Sequence, residues 1–343
     1  MDVKFAITKK CNLRCKHCHY NAGSFADDEL SSEEAKDVID QIADFWDEVK
    51  LTLTGGEALL REDFFELAAY ASVKLDHVDL ASNGTLIDER IAGKLKDNGV
   101  KQAIIGFDGV GEAHNNIRGK GSFARAVEGA KAVKAAGLDL LVSHCITTEN
   151  PHDFKEVFSL ANDLGAKTCI IFHYIPLGRG EEDLPNAQPD AFFAKNLMEL
   201  YEQQQKYNNL EICTTTGPQY WVVLRRMHEQ GSDVPGFFDQ VLPGCRAGKG
   251  LISIRDNGDV LPCPLLKLPV GNLRESSLVE IMETEVMREI CEHKNFKGKC
   301  RQCKHNDICG GCRVRAYGYF QDYLAEDPLC SDFFFEKAES IRG

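Results

Sequence analysis

Residues 3–20 read Val3-Lys-Phe-Ala-Ile7, then Thr8-Lys-Lys-Cys11-Asn-Leu-Arg-Cys15-Lys-His-Cys18-His-Tyr20. A short apolar strand signal runs straight into a loop whose cysteines are spaced C-x3-C-x2-C. Thiolates this close in one loop can converge on a single metal centre, and soft sulfur donors select iron–sulfur clusters, zinc or copper(I). A zinc site or a closed cluster wants a fourth thiolate nearby, and the next cysteine is Cys145. Three ligands on four irons leave one iron open to chelate a small molecule and hand it an electron.

Working outward, Ser31-Ser-Glu-Glu34 fits a helix-starting capping box, and Ala35, Val38, Ile39, Ile42, Ala43 and Trp46 recur at helical spacing. Strand signals at 49–53, 77–81, 102–107, 139–146 and 168–174 alternate with helix signals at 63–72, 88–98, 122–136, 152–164 and 189–206. Such alternation predicts right-handed βαβ crossovers and a parallel sheet. Six strands over about 175 residues suit an α/β fold of the partial (β/α)6, TIM-like barrel type better than a closed eight-stranded one. Ligand groups in such a barrel sit at the C-terminal ends of the strands. Three polar loops fall there: the cysteine loop, Gly55-Gly56-Glu57 after the second strand and Ser82-Asn83-Gly84 after the third.

Gly55 and Gly56 let the backbone approach a ligand closely, and Glu57 is a carboxylate placed to accept hydrogen bonds from an ammonium. Taken alone, G-G-E reads first as a plain strand-to-helix turn. Asp108, after the fourth strand, reads either as a turn-capping carboxylate or as a catalytic acid/base. Ser143 and His144 are neighbours on the fifth strand, so one of them faces the barrel interior; His144 reads as a buried core histidine. Arg179 is either a solvated loop arginine or a fork for a substrate carboxylate. The segment Thr214 to Trp221 reads as a linker that lines the substrate cavity.

Beyond residue 241 the composition changes, with Cys245, Cys263, Cys291, Cys300, Cys303, Cys309, Cys312 and Cys330 in the last hundred or so positions. Asn257-Gly258 is a hairpin-turn signal. The run from Cys300 to Cys312 is C-x2-C-x5-C-x2-C, and two such pairs can also build a zinc ribbon. These changes suggest a barrel over 1–206, a bridging segment over 207–240 and a small cysteine-rich α+β domain over 241–343. The 343 residues are 43% hydrophobic and 27% charged, ordinary globular values. A net charge of −13 argues against a nucleic-acid or anionic-membrane partner. No apolar run approaches the roughly 20 residues that span a bilayer, and the N-terminus lacks a basic and then apolar signal. A cytoplasmic protein is expected, in which fourteen cysteines serve as metal ligands rather than disulfides.

The N-terminal loop resembles the cluster loop of the radical S-adenosylmethionine (SAM) superfamily, written C-x3-C-x-aromatic-C, with His17 in the aromatic position beside the adenine. The resemblance implies that Cys11, Cys15 and Cys18 hold the catalytic [4Fe-4S] cluster. It also implies that Gly55, Gly56 and Glu57 bind the methionine amino group, and that Asn83 and Ser143 make further SAM contacts. Ala58 replaces the usual proline, and Gly106 and Asn115 depart from the usual S-x-D-G and H-D-x-x-R-G. The C-terminal array resembles the SPASM domain, which carries two auxiliary clusters. By that resemblance Cys245, Cys263 and Cys312 hold the first, its fourth position being open or taken by Cys291, another side chain or substrate. Cys300, Cys303, Cys309 and Cys330 hold the second, which makes three [4Fe-4S] clusters in all. Cys309-Gly-Gly-Cys312 has two intervening residues where the pattern has three.

The implied chemistry is reductive cleavage of SAM to methionine and a 5′-deoxyadenosyl radical, which abstracts hydrogen from substrate. An electron donor such as ferredoxin or flavodoxin would feed it. Residues 309–330, Pro176–Gly180, Cys263-Pro-Leu-Leu and Gly271-Asn-Leu-Arg274 are similar to haem-biosynthesis radical SAM enzymes, implying a tetrapyrrole side chain as substrate. Two other readings stand beside it: a maturase that crosslinks or oxidises a ribosomally made peptide, and an iron–sulfur electron carrier. Only ten residues precede Cys11, which disfavours a fused peptide-binding domain.

Overall fold

The computed structural model describes residues 1–343 except 24–27, 184–189, 240, 294, 332–333 and 335–343. Residue 189, the first of the helix expected over 189–206, and the tail of the C-terminal region lie outside the described residues.

Strands β1 (Asp2–Ala6), β2 (Lys50–Thr54), β3 (His77–Ser82), β4 (Gln102–Gly106), β5 (Asp139–Ile146) and β6 (Thr168–His173) run parallel and pair in sequence order. Helices α1 (Ser32–Phe45), α2 (Phe64–Lys74), α3 (Glu89–Asp97), α4 (Glu112–Arg118), α5 (Ser122–Ala135) and α6 (Phe154–Asp163) return the chain between them. The capping box at α1 forms as expected: Glu34 N donates to Ser31 Oγ at 3.3 Å and Ser31 N to Glu34 Oε2 at 2.8 Å. Helix α4 was not foreseen. It is seven residues long, starts from Gly111 and carries His-Asn-Asn at its centre, so it shows no apolar stripe to read.

The register explains the two faces of the sheet. Phe5, Leu53, Leu80, Ala103 and Leu140 are cross-strand partners and are buried in the core under the helices. Each large apolar side chain hidden in this way contributes about 1.5–3 kcal/mol. Lys4, Thr52, Asp79 and Gln102 are also register partners, one position out of phase, so they share the concave face. There Lys4 Nζ donates to Thr52 Oγ1 at 2.9 Å and Gln102 Nε2 to Asp79 Oδ2 at 2.6 Å. Burial pushes the Lys4 ammonium below its ordinary pKa. The concave floor is therefore a closed polar layer, and the mouth above it is open to chemistry.

The sheet does not stop at six strands. β7 (Glu211–Thr214) adds parallel to β6, and β8 (Leu251–Ile254) adds parallel to β1 at the other edge. β9 (Asp259–Leu261) and β10 (Gly271–Asn272) then continue antiparallel, giving the order β10-β9-β8-β1-β2-β3-β4-β5-β6-β7. Between β6 and β8 lie α7 (Gly180–Asp183), α8 (Asp190–Gln204) and α9 (Tyr220–Glu229). The stretch 207–240, expected as a bridge, holds β7 and α9 among its described residues. A four-residue strand with one fully buried side chain is too short to show a period. The partnership of β8 with β1 joins residues some 250 apart, which no local pattern can announce. The expected Asn257-Gly258 turn does connect β8 to β9, with Arg255 N donating to Asp259 O at 2.8 Å. Short helices α10 (Leu278–Met282), α11 (Glu285–Glu292), α12 (Gly298–Gln302) and α13 (Arg313–Phe320) complete the described chain. No helix among the described residues is long and apolar enough to cross a membrane.

Candidate active site

The cysteine loop leaves β1 at the C-terminal rim and is pinned from three sides. From β2, Gly56 N donates to Thr8 O and Glu57 N to Lys10 O, both at 2.8 Å. A Cβ on Gly56 would lie 2.3 Å from Lys10 O, and one on Gly55, at φ +149°, 2.3 Å from Thr8 O. The two glycines therefore allow the close contact between the two loops. From β3, Asn83 Nδ2 donates to Asn12 Oδ1 at 2.8 Å, and Asn12 Nδ2 to Thr85 Oγ1 at 2.8 Å.

The third side comes from across the barrel mouth. Arg179, after β6, is 5% exposed. Its Nε donates to Cys15 O at 2.9 Å and its Nη1 to Ala22 O at 3.1 Å. It is neither solvated nor open to substrate; it clamps the cysteine loop. Arg179→Ala removes both contacts, and, if the loop and the C-terminal cysteines hold the iron expected from their sequence, the expected result is loss of about half or more of the loop's iron during desalting while the C-terminal iron stays. Hydrogen bonds from a charged donor are worth about 1.5–3 kcal/mol each, enough to loosen a loop. Iron retention at the N-terminal site, read by electron paramagnetic resonance (EPR), checks this.

Glu57 is fully buried. Its Oε1 accepts from Ser82 Oγ at 2.9 Å and its Oε2 from Asn83 N at 2.8 Å. Burial pushes its carboxyl up, against those two hydrogen bonds. It braces the second and third loops together.

Beneath the loop lies a group the sequence showed only as fragments. Asp108, fully buried, accepts from His17 Nε2 at 2.7 Å, from Arg118 Nε, and from Cys145 N at 3.0 Å. Burial alone would raise its pKa, but Arg118 and His17 hold it well below the usual carboxylate range. An ionised Asp108 makes His17 Nε2 the donor, which leaves His17 Nδ1 buried and without a partner. Asp108 is thus an ion-paired anchor, not a free acid or base. Gly106 explains its own departure from the family pattern: a Cβ there would lie 2.2 Å from Arg118 Nη2. The Arg118 guanidinium occupies the space a side chain would fill on the concave face. Ser143 pairs in register with Gly106 and shares that face. His144 points the other way, fully buried with Nδ1 2.8 Å from Phe107 O.

None of the fourteen cysteines is in a disulfide. Cys11, Cys15 and Cys18 lie within reach of one another's charge, and burial pushes the Cys15 thiol up to about 11 against the pull of Arg118. In the C-terminal region the cysteines fall into two groups. Burial raises the Cys263 thiol, and Cys245 and Cys312 add to it. Cys300, Cys303, Cys309 and Cys330 line one small cavity with Gln219 and His305. The buried Arg313 donates from Nη2 towards Cys300 Sγ at 3.6 Å. Cys309 and Cys312 therefore face different groups despite the shortened spacing between them. Among the described residues no three His, Cys, Asp or Glu side chains crowd to the spacing of a single metal ion.

A cleft of about 510 Å³ opens on the same rim, between the cysteine loop, the loop after β6 and the β8–β9 turn. Lys9, Arg255 and Lys267 bring positive charge to it. Of its four carboxylates, Glu181 is paired with Lys267 at 2.5 Å and Asp256 accepts from Tyr20 Oη; Asp28 and Glu182 complete the lining.

Comparison with known proteins agrees with this arrangement. Residues 5–161 match the Radical SAM superfamily, and residues 245–313 match SPASM, an iron–sulfur cluster-binding domain. The chain is 33% identical over 336 residues to the AdoMet-dependent heme synthase of Methanosarcina barkeri, covering 96% of this chain and 95% of that one. The chain belongs to the radical SAM superfamily. It is also 31% identical to the mycofactocin maturase MftC of Mycolicibacterium smegmatis, over 96% of this chain and 82% of that one. The crystal structure of Streptococcus suis SuiB bound to S-adenosylmethionine shares the fold, with a TM-score of 0.74 at 17% identity over 96% of this chain and 77% of that one. As a radical SAM enzyme with a SPASM domain, the chain works with iron–sulfur clusters and SAM. The electron-carrier reading falls away.

Proposed function

We propose that this radical SAM enzyme modifies the carboxylate side chains of a tetrapyrrole. The observation that carries the reading is the barrel mouth itself: three thiols on one loop, ringed by Glu57, Asn83, Arg118 and His17. Cys11, Cys15 and Cys18 would hold a four-iron cluster with one open iron. The two C-terminal groups suit two auxiliary clusters: Cys245, Cys263 and Cys312 for the first, Cys300, Cys303, Cys309 and Cys330 for the second. Bound at the mouth, cluster and SAM together supply a one-electron cleavage that yields a radical able to take hydrogen from an unreactive carbon.

The chain's own part is binding and positioning. Arg118 is held by Asp108 through Nε, and its terminal nitrogens lie over Gly106 with no acceptor among the described residues. A planar guanidinium presented in this way suits the carboxylate of SAM. The unpartnered His17 Nδ1 suits the adenine amino group, the backbone of the Gly55-Gly56-Glu57 turn rather than the engaged Glu57 carboxylate suits the methionine amino group, and Asn83 and Ser143 suit the ribose. Arg179 and the Asn12–Asn83–Thr85 contacts keep the loop in register while substrate binds.

For the substrate, Lys9 and Arg255 line the cleft beside Asp28, Glu181, Glu182 and Asp256 and are in no ion pair among the described residues, so they are the cations a tetrapyrrole propionate would meet. The haem-synthase relative supports this choice; the mycofactocin relative favours a peptide. A low-potential ferredoxin or flavodoxin would supply the electron, in the cytoplasm. Anaerobic protein given SAM, dithionite and iron coproporphyrin should form 5′-deoxyadenosine in proportion to a change in porphyrin mass. Lys9→Gln with Arg255→Gln should raise the porphyrin KM about tenfold or more, the weight of a lost charge-assisted contact. Should 5′-deoxyadenosine form while no tetrapyrrole binds or changes mass, the peptide reading replaces this one.

A further inference from the structure

Three thiols in the first auxiliary group leave one iron of a four-iron cluster unassigned. We infer that Cys291 is the fourth thiolate of that cluster, which closes it to substrate. The inference rests on the two-cluster reading above and adds a ligand to it.

The three assigned thiols come from separate segments: Cys245 before β8, Cys263 after β9, and Cys312 at the start of α13. Gly248 joins two of them. It follows Cys245 by three residues, and its N donates at 2.9 Å to the carbonyl of Pro262, the residue before Cys263. A Cβ on Gly248 would meet Cys291 Sγ at 3.1 Å. The Cys291 sulfur therefore rests directly on the peptide that ties the Cys245 and Cys263 segments together. The same helix, α11, packs Ile290 into the apolar cluster that contains Cys312 and Ala247 and is edged by Cys245 and Cys263.

Charge agrees with position. Lys249 is partly buried, which pushes its ammonium down, and the charges that oppose this shift come from Cys245 first and Cys291 second. One ammonium thus faces both thiols. Four thiolates around a cluster need such compensation in a site of low dielectric. The competing donors are engaged elsewhere. His293 contacts Asn306 O through Nδ1 at 3.1 Å, and its ring stacks on Phe296. Cys145 lies beside Asp108, Cys169 in the core under the helices, and Cys213 on β7.

A closed cluster has no iron to offer, so its role is to pass electrons at a distance, and the substrate must be held by protein groups alone. The test uses the full chain with Cys11, Cys15 and Cys18 all changed to alanine, so that only auxiliary iron remains. Reconstituted anaerobically, this parent should show EPR and Mössbauer spectra that added cyanide leaves unchanged. Cys291→Ala in the parent should lose about one to four irons per chain, or expose an iron whose signal cyanide shifts. Cys291→Ser, which keeps the shape and an oxygen donor, should retain the iron with an altered spectrum. If Cys291→Ala matches the parent in iron, sulfide and spectra, or cyanide already shifts the parent, Cys291 is not the ligand and the two clusters stand without it. If the parent holds no iron, the two-cluster reading itself is overturned.

Discussion

On the three-cluster reading proposed above, Cys15→Ala is expected to bring 5′-deoxyadenosine formation below detection while the protein keeps about two thirds of its iron, the share of two clusters among three. The reason lies in how the loop is built. Arg179 holds the Cys15 carbonyl, not its sulfur, and Gly56 and Glu57 hold the backbone at Thr8 and Lys10. The alanine variant therefore keeps the loop in place and loses only a ligand. No other cysteine lies on this loop. Cys145 is on the strand below, its backbone N committed to Asp108, and Cys169 is sealed under the helices. Two thiolates do not retain a four-iron cluster, and without it SAM has no electron to receive. Mass spectrometry for 5′-deoxyadenosine, with EPR of the remaining iron, reads both halves at once. Appreciable SAM cleavage by Cys15→Ala would remove the basis for placing the chemistry at this loop.

How much of this was legible depended on distance along the chain. The six parallel strands and their helices could be read because each repeats a local period, and Ser31 with Glu34 marks a helix start within four residues. The thiol groups could be read too, since ligand spacing is partly local. What could not be read was reach. Arg179 finds Cys15 across 164 residues, so its clamp left no local trace, and both readings of it as a loop arginine missed that. Gly106 looked like a lost serine; it is the room that Arg118 needs. Glu57 looked like an open acceptor, yet its two oxygens hold Ser82 and Asn83. In each case the residue type was visible and its partner was not.

The same reach produces the largest expected loss of stability. Asp327, 2% exposed, accepts from Arg315 Nε at 2.9 Å and Nη2 at 2.7 Å, from Gln219 Nε2 at 2.8 Å and from Cys312 N at 2.7 Å. Arg315 in turn donates to Thr216 O and lies over the Phe193 ring. One buried ion pair therefore joins α8, α9 and the segment before α9 to the cysteine array. Asp327→Ala leaves the Arg315 charge buried and unpaired, an expected cost of about 3–5 kcal/mol. Arg315→Met combined with Asp327→Leu should recover most of it, because the desolvation penalty goes with the charges. Burial would raise the Asp327 pKa, but Arg315 and the hydrogen bonds lower it below its ordinary value. Its contribution is therefore complete above an unfolded pKa of about 4 and fades as pH falls through the lower folded value. The gap between the native protein and Asp327→Asn should accordingly narrow on acidification below about pH 4. Trp221, in α9 two residues from Gln219, is a fluorescent reporter beside the network. An unfolding free energy from urea titration, followed by tryptophan fluorescence, that falls by less than about 0.5 kcal/mol in Asp327→Ala, the range of an ordinary surface change, would show that this pair does not hold the cysteine array to the barrel.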